Sequence, residues 1–200
     1  MLITILRHGT TEGNLRGAYV GSTDLPLCEL GEAELRRLAA DSGVATVYVS
    51  PLARARQTAE ILFPSAEHKV VDGLREMDFG RFENRSAADM ENDAEYRAWV
   101  EGMCADSCPG GESMEAFSRR VARAVADIVA DVRARGESRV TIVAHGGTIM
   151  AAMARYARPE RDYFEWTADN GGGYEAAIVS SGDTFHFEDV KKVEGVKKQR

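Results

Sequence analysis

The chain has 200 residues, enough for one domain over 1–200 with a core of its own, and its 44% hydrophobic and 28% charged residues are ordinary for a globular fold. A net charge of -7 without a sustained basic stripe disfavours nucleic acid as a partner. No run approaches the length of a membrane span, and the apolar run after Met1 is only a strand long before it meets Arg7, so neither a spanning helix nor a signal peptide is expected.

Residues 1–7 predict a buried strand, and Gly9 lets the chain turn sharply beyond it. Residues 28–41 predict a helix with Glu29, Glu32 and Glu34 near its start, where the helix dipole favours anions. Residues 44–49 predict a second buried strand. Ser50-Pro51 then opens a helix over about 51–62, because proline suits the first helical turn. A short strand is expected at 68–71. Residues 74–112 are irregular, rich in charge and aromatics, and closed by Cys108-Pro109-Gly110-Gly111; they read as an insertion with short helices, a candidate lid. A long helix follows over about 113–134, with Phe117, Val121, Val125, Ile128 and Val132 on one face and Gly136 at its end. Residues 139–144 predict another strand, and His145-Gly146-Gly147 leads into an alanine-rich helix to about 157. Gly171-Gly172-Gly173 precedes a hairpin with strands at 174–180 and 184–189 and Ser181-Gly182-Asp183 at its turn; the polar residues from Lys191 are expected to fray. Strands alternating with helices imply an α/β fold, a three-layer α/β/α sandwich with a mostly parallel central sheet.

Reactive groups in such a sheet emerge at the carboxyl ends of its strands. Two strands end in a histidine followed by glycine, Leu6-Arg7-His8-Gly9 and Val143-Ala144-His145-Gly146, and the two turns can converge at one edge. An arginine beside a histidine suits phosphate chemistry: a rigid, permanently charged fork next to a nucleophile active at neutral pH. Arg54 falls in the first turn of the helix after the second strand; it either reaches over the strand ends or, like Arg56, is a solvated charge. Glu76 lies among apolar neighbours, either a carboxyl with a raised pKa or a surface group before a turn. His68 and His186 read as structural residues on the solvent side. The three cysteines, Cys28, Cys104 and Cys108, form no disulfide framework and point to reduced thiols in the cytoplasm. No second Cys/His pair completes Cys104 and Cys108 into a metal site, so no metal is expected.

Together these segments resemble the histidine phosphatase superfamily, also called phosphoglycerate mutase-like. The resemblance rests on Arg7-His8-Gly9-Thr10 with Asn14, on Ser50-Pro51-Leu52 with Arg54 and Gln57-Thr58-Ala59, on Glu76 before Phe79-Gly80, and on His145-Gly146-Gly147. Residues 21–31 look like the family's segment after its first loop, with Cys28 in place of a hydroxyl residue, which implies a lost helix cap. The insertion is most similar to the α-ribazole phosphatases of cobalamin biosynthesis, through residues 76–83, Tyr96-Arg97-Ala98-Trp99, Gly110-Gly111-Glu112, Phe117, Arg119-Arg120-Val121, Trp166 and Gly173-Tyr174. Asn84 stands where many relatives place glycine.

The resemblance implies a phosphoglycerate mutase-like fold and a phosphomonoester hydrolase that needs no cofactor. It makes His8 the nucleophile that forms a phosphohistidine and Glu76 the general acid and base. Arg7, Arg54 and a protonated His145 would hold the phosphoryl oxygens, with Asn14 and the Gly146 amide as further donors. The substrate is then a small phosphate ester, α-ribazole 5′-phosphate being one. Alternatives are a broad sugar phosphate or phosphoglycerate phosphatase, a phosphoglycerate mutase, and a module that binds phosphorylated ligands. Phe79, Phe82, Tyr96, Trp99 and Trp166 either stack on a flat base or pack the insertion onto the sheet. Oligomeric state is not legible, and a homodimer stays open.

Overall fold

The computed structural model describes residues 1–195 apart from 39, 40, 42, 105 and 183. In chain order its elements are β1 (Leu2–Arg7), α1 (Glu12–Leu15), α2 (Glu29–Leu35), β2 (Thr46–Val49), α3 (Ala53–Leu62), β3 (Glu67–Val70), α4 (Ala94–Glu101), α5 (Met114–Ala134), β4 (Arg139–Ala144), α6 (Gly146–Tyr156), β5 (Gly173–Ser181) and β6 (Thr184–Val193). The strands form one sheet in the order β3-β2-β4-β1-β5-β6. The first four run parallel, and β5 and β6 complete the sheet antiparallel.

Side chains alternate across the sheet with the period of two that strands impose. Ile3, Ile5, Tyr48, Val140, Ile142 and Ala144 share a buried cluster with α5 and α6. Leu6, Val47, Val49 and Val143 join the cluster that holds Leu35 of α2 and Ala55, Ala59 and Leu62 of α3. Two cores on opposite faces make the three expected layers. The five residues expected on the buried face of α5, from Phe117 to Val132, are all buried. Each such burial contributes about 1.5–3 kcal/mol. Ser113 caps α5 by accepting from the Ala116 amide at 3.1 Å, and the positive φ of Gly136 follows its end.

The segment between β3 and α5 folds as short 3-10 turns and α4. Asp93 caps α4, accepting from the amides of Glu95 and Tyr96 at 3.1 and 3.3 Å. Phe82, Met90, Tyr96, Trp99 and Cys108 from this segment lie in the same cluster as α5 and α6, so the insertion is part of the main core. Asn84 takes φ 59°, the left-handed region that asparagine tolerates better than most residues, and its Oδ1 accepts from Arg16 at 2.6 Å.

Several expectations need correction. The helix expected over 28–41 is α2, which ends at Leu35; residues 39 and 40 lie outside the described residues. Cys28 does not forfeit the cap, because its Sγ accepts from the Gly31 amide at 3.4 Å. Pro51 precedes α3 instead of opening it, with Leu52 at the cap position. The one-turn α1, closed by a capping box between Thr11 and Asn14, went unanticipated. Lys191, Lys192 and Val193 pair with Glu175, Tyr174 and Gly173 in β6, so fraying does not begin at Lys191. Asp183 of the expected turn lies outside the described residues.

Candidate active site

Parallel pairing of β1 with β4 puts Arg7 opposite Ala144, and the ladder continues as the His8 amide donates to the Ala144 carbonyl at 3.0 Å. The next residues, His8 and His145, therefore emerge side by side. Their ring centroids are 5.2 Å apart at 60°, and both rings are buried, 4% and 0% exposed. The Nδ1 of His8 lies 2.6 Å from the Gly9 carbonyl, which can only accept. The proton therefore sits on Nδ1, and Nε2 keeps its lone pair. The Gly9 amide donates to Thr58 Oγ1 at 3.0 Å, and that hydroxyl donates to the Arg54 carbonyl at 2.7 Å, tying the turn to α3.

Around this pair stand the other candidates. Arg54 is fully buried; its Nη1 donates to the Thr23 carbonyl at 2.8 Å, and its Nη2 to those of Gly21 at 2.8 Å and Val20 at 3.2 Å. Arg7 donates through Nη1 to the Ala168 carbonyl at 2.8 Å. The Asn14 Oδ1 accepts from the Thr11 amide and hydroxyl and from Asn170, so its NH2 is the end that donates. Glu76 is 9% exposed, and its two oxygens accept from the Met77 and Gly147 amides, both at 2.9 Å. A β-carbon on Gly146, at the start of α6, would lie 3.6 Å from the Arg7 Nε. Buried Nε atoms of Arg7 and Arg54 and Nδ1 of His145 have no hydrogen-bond partner among the described residues. A buried donor without a partner is costly, and the two guanidinium Nε donors beside one pocket form a site for an anion.

Electrostatics sort these groups. Burial pushes the Glu76 carboxyl up, against the pull of the Met77 and Gly147 amides and of Arg54 and Arg7. Burial first, then the charges of Arg54 and Arg7, hold His8 well below the ordinary histidine value. The same burial, with Arg54, His8 and Arg7 next, holds His145 low. Its Nε2 lies 2.7 Å from Ser50 Oγ.

Arg7, His8, Asn14, Glu76 and Gly146 line one cavity of about 320 Å³, while Arg54 and His145 lie buried behind it. Its outer walls are Tyr19, Phe79, Trp99, Met114, Tyr163 and Phe164. Of the aromatics singled out in the sequence, Phe79 and Trp99 reach the cavity, whereas Phe82, Tyr96 and Trp166 are core. His68 and His186 bond locally, to the Phe63 carbonyl at 3.0 Å and to Glu188 at 2.8 Å. Asn170 was missed: its Nδ2 donates to the His8 and Gly9 carbonyls at 3.1 and 3.2 Å. Its only signal was its place before the glycine run. Among the described residues no three His, Cys, Asp or Glu side chains gather as a metal site, and no helix is long and apolar enough to cross a membrane.

A family model described as the histidine phosphatase superfamily (branch 1) matches residues 3–186. The adenosylcobalamin/alpha-ribazole phosphatase of Salmonella typhimurium is 34% identical over 164 residues, 78% of this chain and 79% of that protein. The 2,3-bisphosphoglycerate-dependent phosphoglycerate mutase of Rhizobium etli is 28% identical over 159 residues, 74% of this chain and 76% of that protein. The crystal structure of the alpha-ribazole phosphatase from Shigella flexneri matches with a TM-score of 0.79 at 25% identity, over 100% of both chains. On a family match over most of its length and this shared fold, the chain belongs to the histidine phosphatase superfamily and is an enzyme of phosphate-ester hydrolysis.

Proposed function

We propose that the chain hydrolyses a phosphate monoester with an uncharged, flat leaving group, α-ribazole 5′-phosphate being the leading substrate, through a phosphohistidine on His8. Nε2 of His8 attacks phosphorus in line, the N–P bond forms as the ester P–O bond breaks, and Glu76 gives its proton to the departing oxygen. Water then attacks phosphorus, Glu76 takes its proton, and the N–P bond breaks to release inorganic phosphate. Arg7, Arg54, His145, Asn14 and the Gly146 amide hold the equatorial oxygens, where charge is neutralised during transfer. The charge of the bound dianion favours the protonated form of His145, against the burial that holds its pKa low.

The observation that carries this reading is the close pair of buried imidazoles beside the Nε donors of Arg7 and Arg54, which have no partner among the described residues. The choice of substrate is supported by the cavity walls. Beyond Arg7, His8 and Glu76 they carry no charged side chain among the described residues, and their rings suit a flat base. A phosphoglycerate would bury its carboxylate there without a partner, which is expensive; this disfavours the mutase reading. The insertion at about 74–112 supplies Glu76, Met77, Phe79, Trp99 and Cys104 to the walls and is the proposed lid of this single domain. A panel of α-ribazole 5′-phosphate, sugar phosphates and phosphoglycerates tests the assignment. Turnover is expected to favour the first, and a preference for 3-phosphoglycerate would overturn it.

A further inference from the structure

Glu83 takes no part in the chemistry above, yet it binds the backbone next to it tightly. Its Oε1 accepts from the Ser22 amide at 2.8 Å and the Phe79 amide at 3.0 Å. Its Oε2 accepts from the Gly21 amide at 3.1 Å, the Thr23 amide at 3.2 Å and the Thr23 hydroxyl at 2.6 Å. Three successive amides thus close around one carboxylate. The carbonyls of this same stretch, those of Val20, Gly21 and Thr23, receive the Arg54 guanidinium. Peptide planes are rigid, so fixing the Gly21 and Ser22 amides fixes the Val20 and Gly21 carbonyls that share their planes. The stretch is also pressed onto the acid-bearing segment: a β-carbon on Gly21 would lie 1.8 Å from the Met77 carbonyl.

We infer that Glu83 is a positioning residue that aims the guanidinium of Arg54 at the phosphoryl group through the backbone of residues 20–23. The inference rests on Arg54 being a phosphoryl ligand. Both Glu83 oxygens accept from N–H donors, so Glu83→Gln, though equal in shape, must turn an NH2 against amides that also donate. The loop shifts, and Arg54 moves with it.

The test reads inorganic phosphate binding to the full chain by calorimetry, with no turnover needed. Glu83→Gln is expected to weaken phosphate by about 10- to 100-fold, the size of effect that a small misplacement of a ligand produces. In an Arg54→Lys background the same change should add no more than about twofold, because the ligand it aims is gone. A structural role alone would lower the melting temperature while leaving phosphate affinity unchanged, or would give penalties that multiply in the double variant; either result overturns the inference. If Glu83→Gln fails to fold, Thr23→Val decides, since it removes only the 2.6 Å bond. Weaker phosphate binding supports the inference and unchanged binding overturns it. A wild-type chain that binds phosphate but hydrolyses no ester would refute the proposed function and leave this cycle readable. One that binds no phosphate overturns both.

Discussion

Gly147 donates its amide to one oxygen of Glu76 at 2.9 Å, and a β-carbon built on it would lie 2.3 Å from the other oxygen. The helix start and the acid fit together only because this residue has no side chain. Gly147→Ala must push the carboxyl away from the leaving oxygen. The expected result is a fall in kcat of about 100-fold at a nearly unchanged melting temperature. Steady-state kinetics with an alkyl phosphate checks it, and a wild-type kcat would refute the placement of Glu76.

Glu76→Gln separates the two halves of the reaction. On alkyl esters kcat should fall by roughly 10²–10⁴, the usual contribution of a general acid. Nitrophenyl phosphate needs no proton to leave, so phosphorylation should persist while attack by water slows. Stopped-flow absorbance is then expected to record a burst of nitrophenolate followed by slow turnover. A steady rate equal to wild type with no burst would remove Glu76 from both steps.

His8→Ala should abolish both turnover and acid-labile labelling of the protein after a rapid quench with labelled ester. The bare Nε2 left by the Gly9 bond is the only proposed acceptor of the phosphoryl group. Labelling that survives in the variant would place the intermediate elsewhere.

Stability should depend on pH through the buried imidazoles. Both His8 and His145 sit below the ordinary value of 6.5 in the folded chain. As pH falls through 6.5 the unfolded chain takes up protons that the folded chain refuses, so stability declines toward the lowered folded values. Glu76 acts with the opposite sign: raised above 4.5, it withdraws stability as pH rises through its folded value. Melting temperatures measured across this range should slope downward on the acid side, and His145→Gln should flatten that slope. An unaltered slope in the variant would mean that His145 is not held neutral by the fold.

Phe82 is fully buried within the cluster shared by the insertion, α5 and α6. Phe82→Ala is therefore expected to lower the free energy of global unfolding by about 3–5 kcal/mol in urea titrations. An insertion that opened independently would leave the global value almost unchanged.

The reactive centre was legible where chemistry sits at the ends of periodic elements. His8 and His145 each follow a buried strand, Arg54 stands in the first turn after another, and parallel pairing brings the three together. What escaped was set by distance or by direction. Asn170 meets His8 across 162 positions with no local pattern to announce it. Aromatic character alone did not separate Phe82 and Trp166, which face the core, from Tyr19, Tyr163 and Phe164, which face the cavity. Cys28 caps α2 with sulfur, a donor–acceptor that is easily discounted. Lys191 and Lys192 read as a tail because an edge strand is polar along its open side, and lysines there discourage pairing with another chain.

The register from Leu2 opposite Arg139 to Arg7 opposite Ala144 makes the gap between the two imidazoles a fixed dimension of the sheet, like the pitch of a ruled grating. The aromatic walls, by contrast, hang from connecting segments outside that sheet. Recognition is therefore free to diverge through the wall residues of those connections, while the two imidazoles keep their spacing without readjustment. Exchanging wall residues such as Phe79, Trp99 and Phe164, with Glu76 and Glu83 kept, is the direct way to retarget this enzyme.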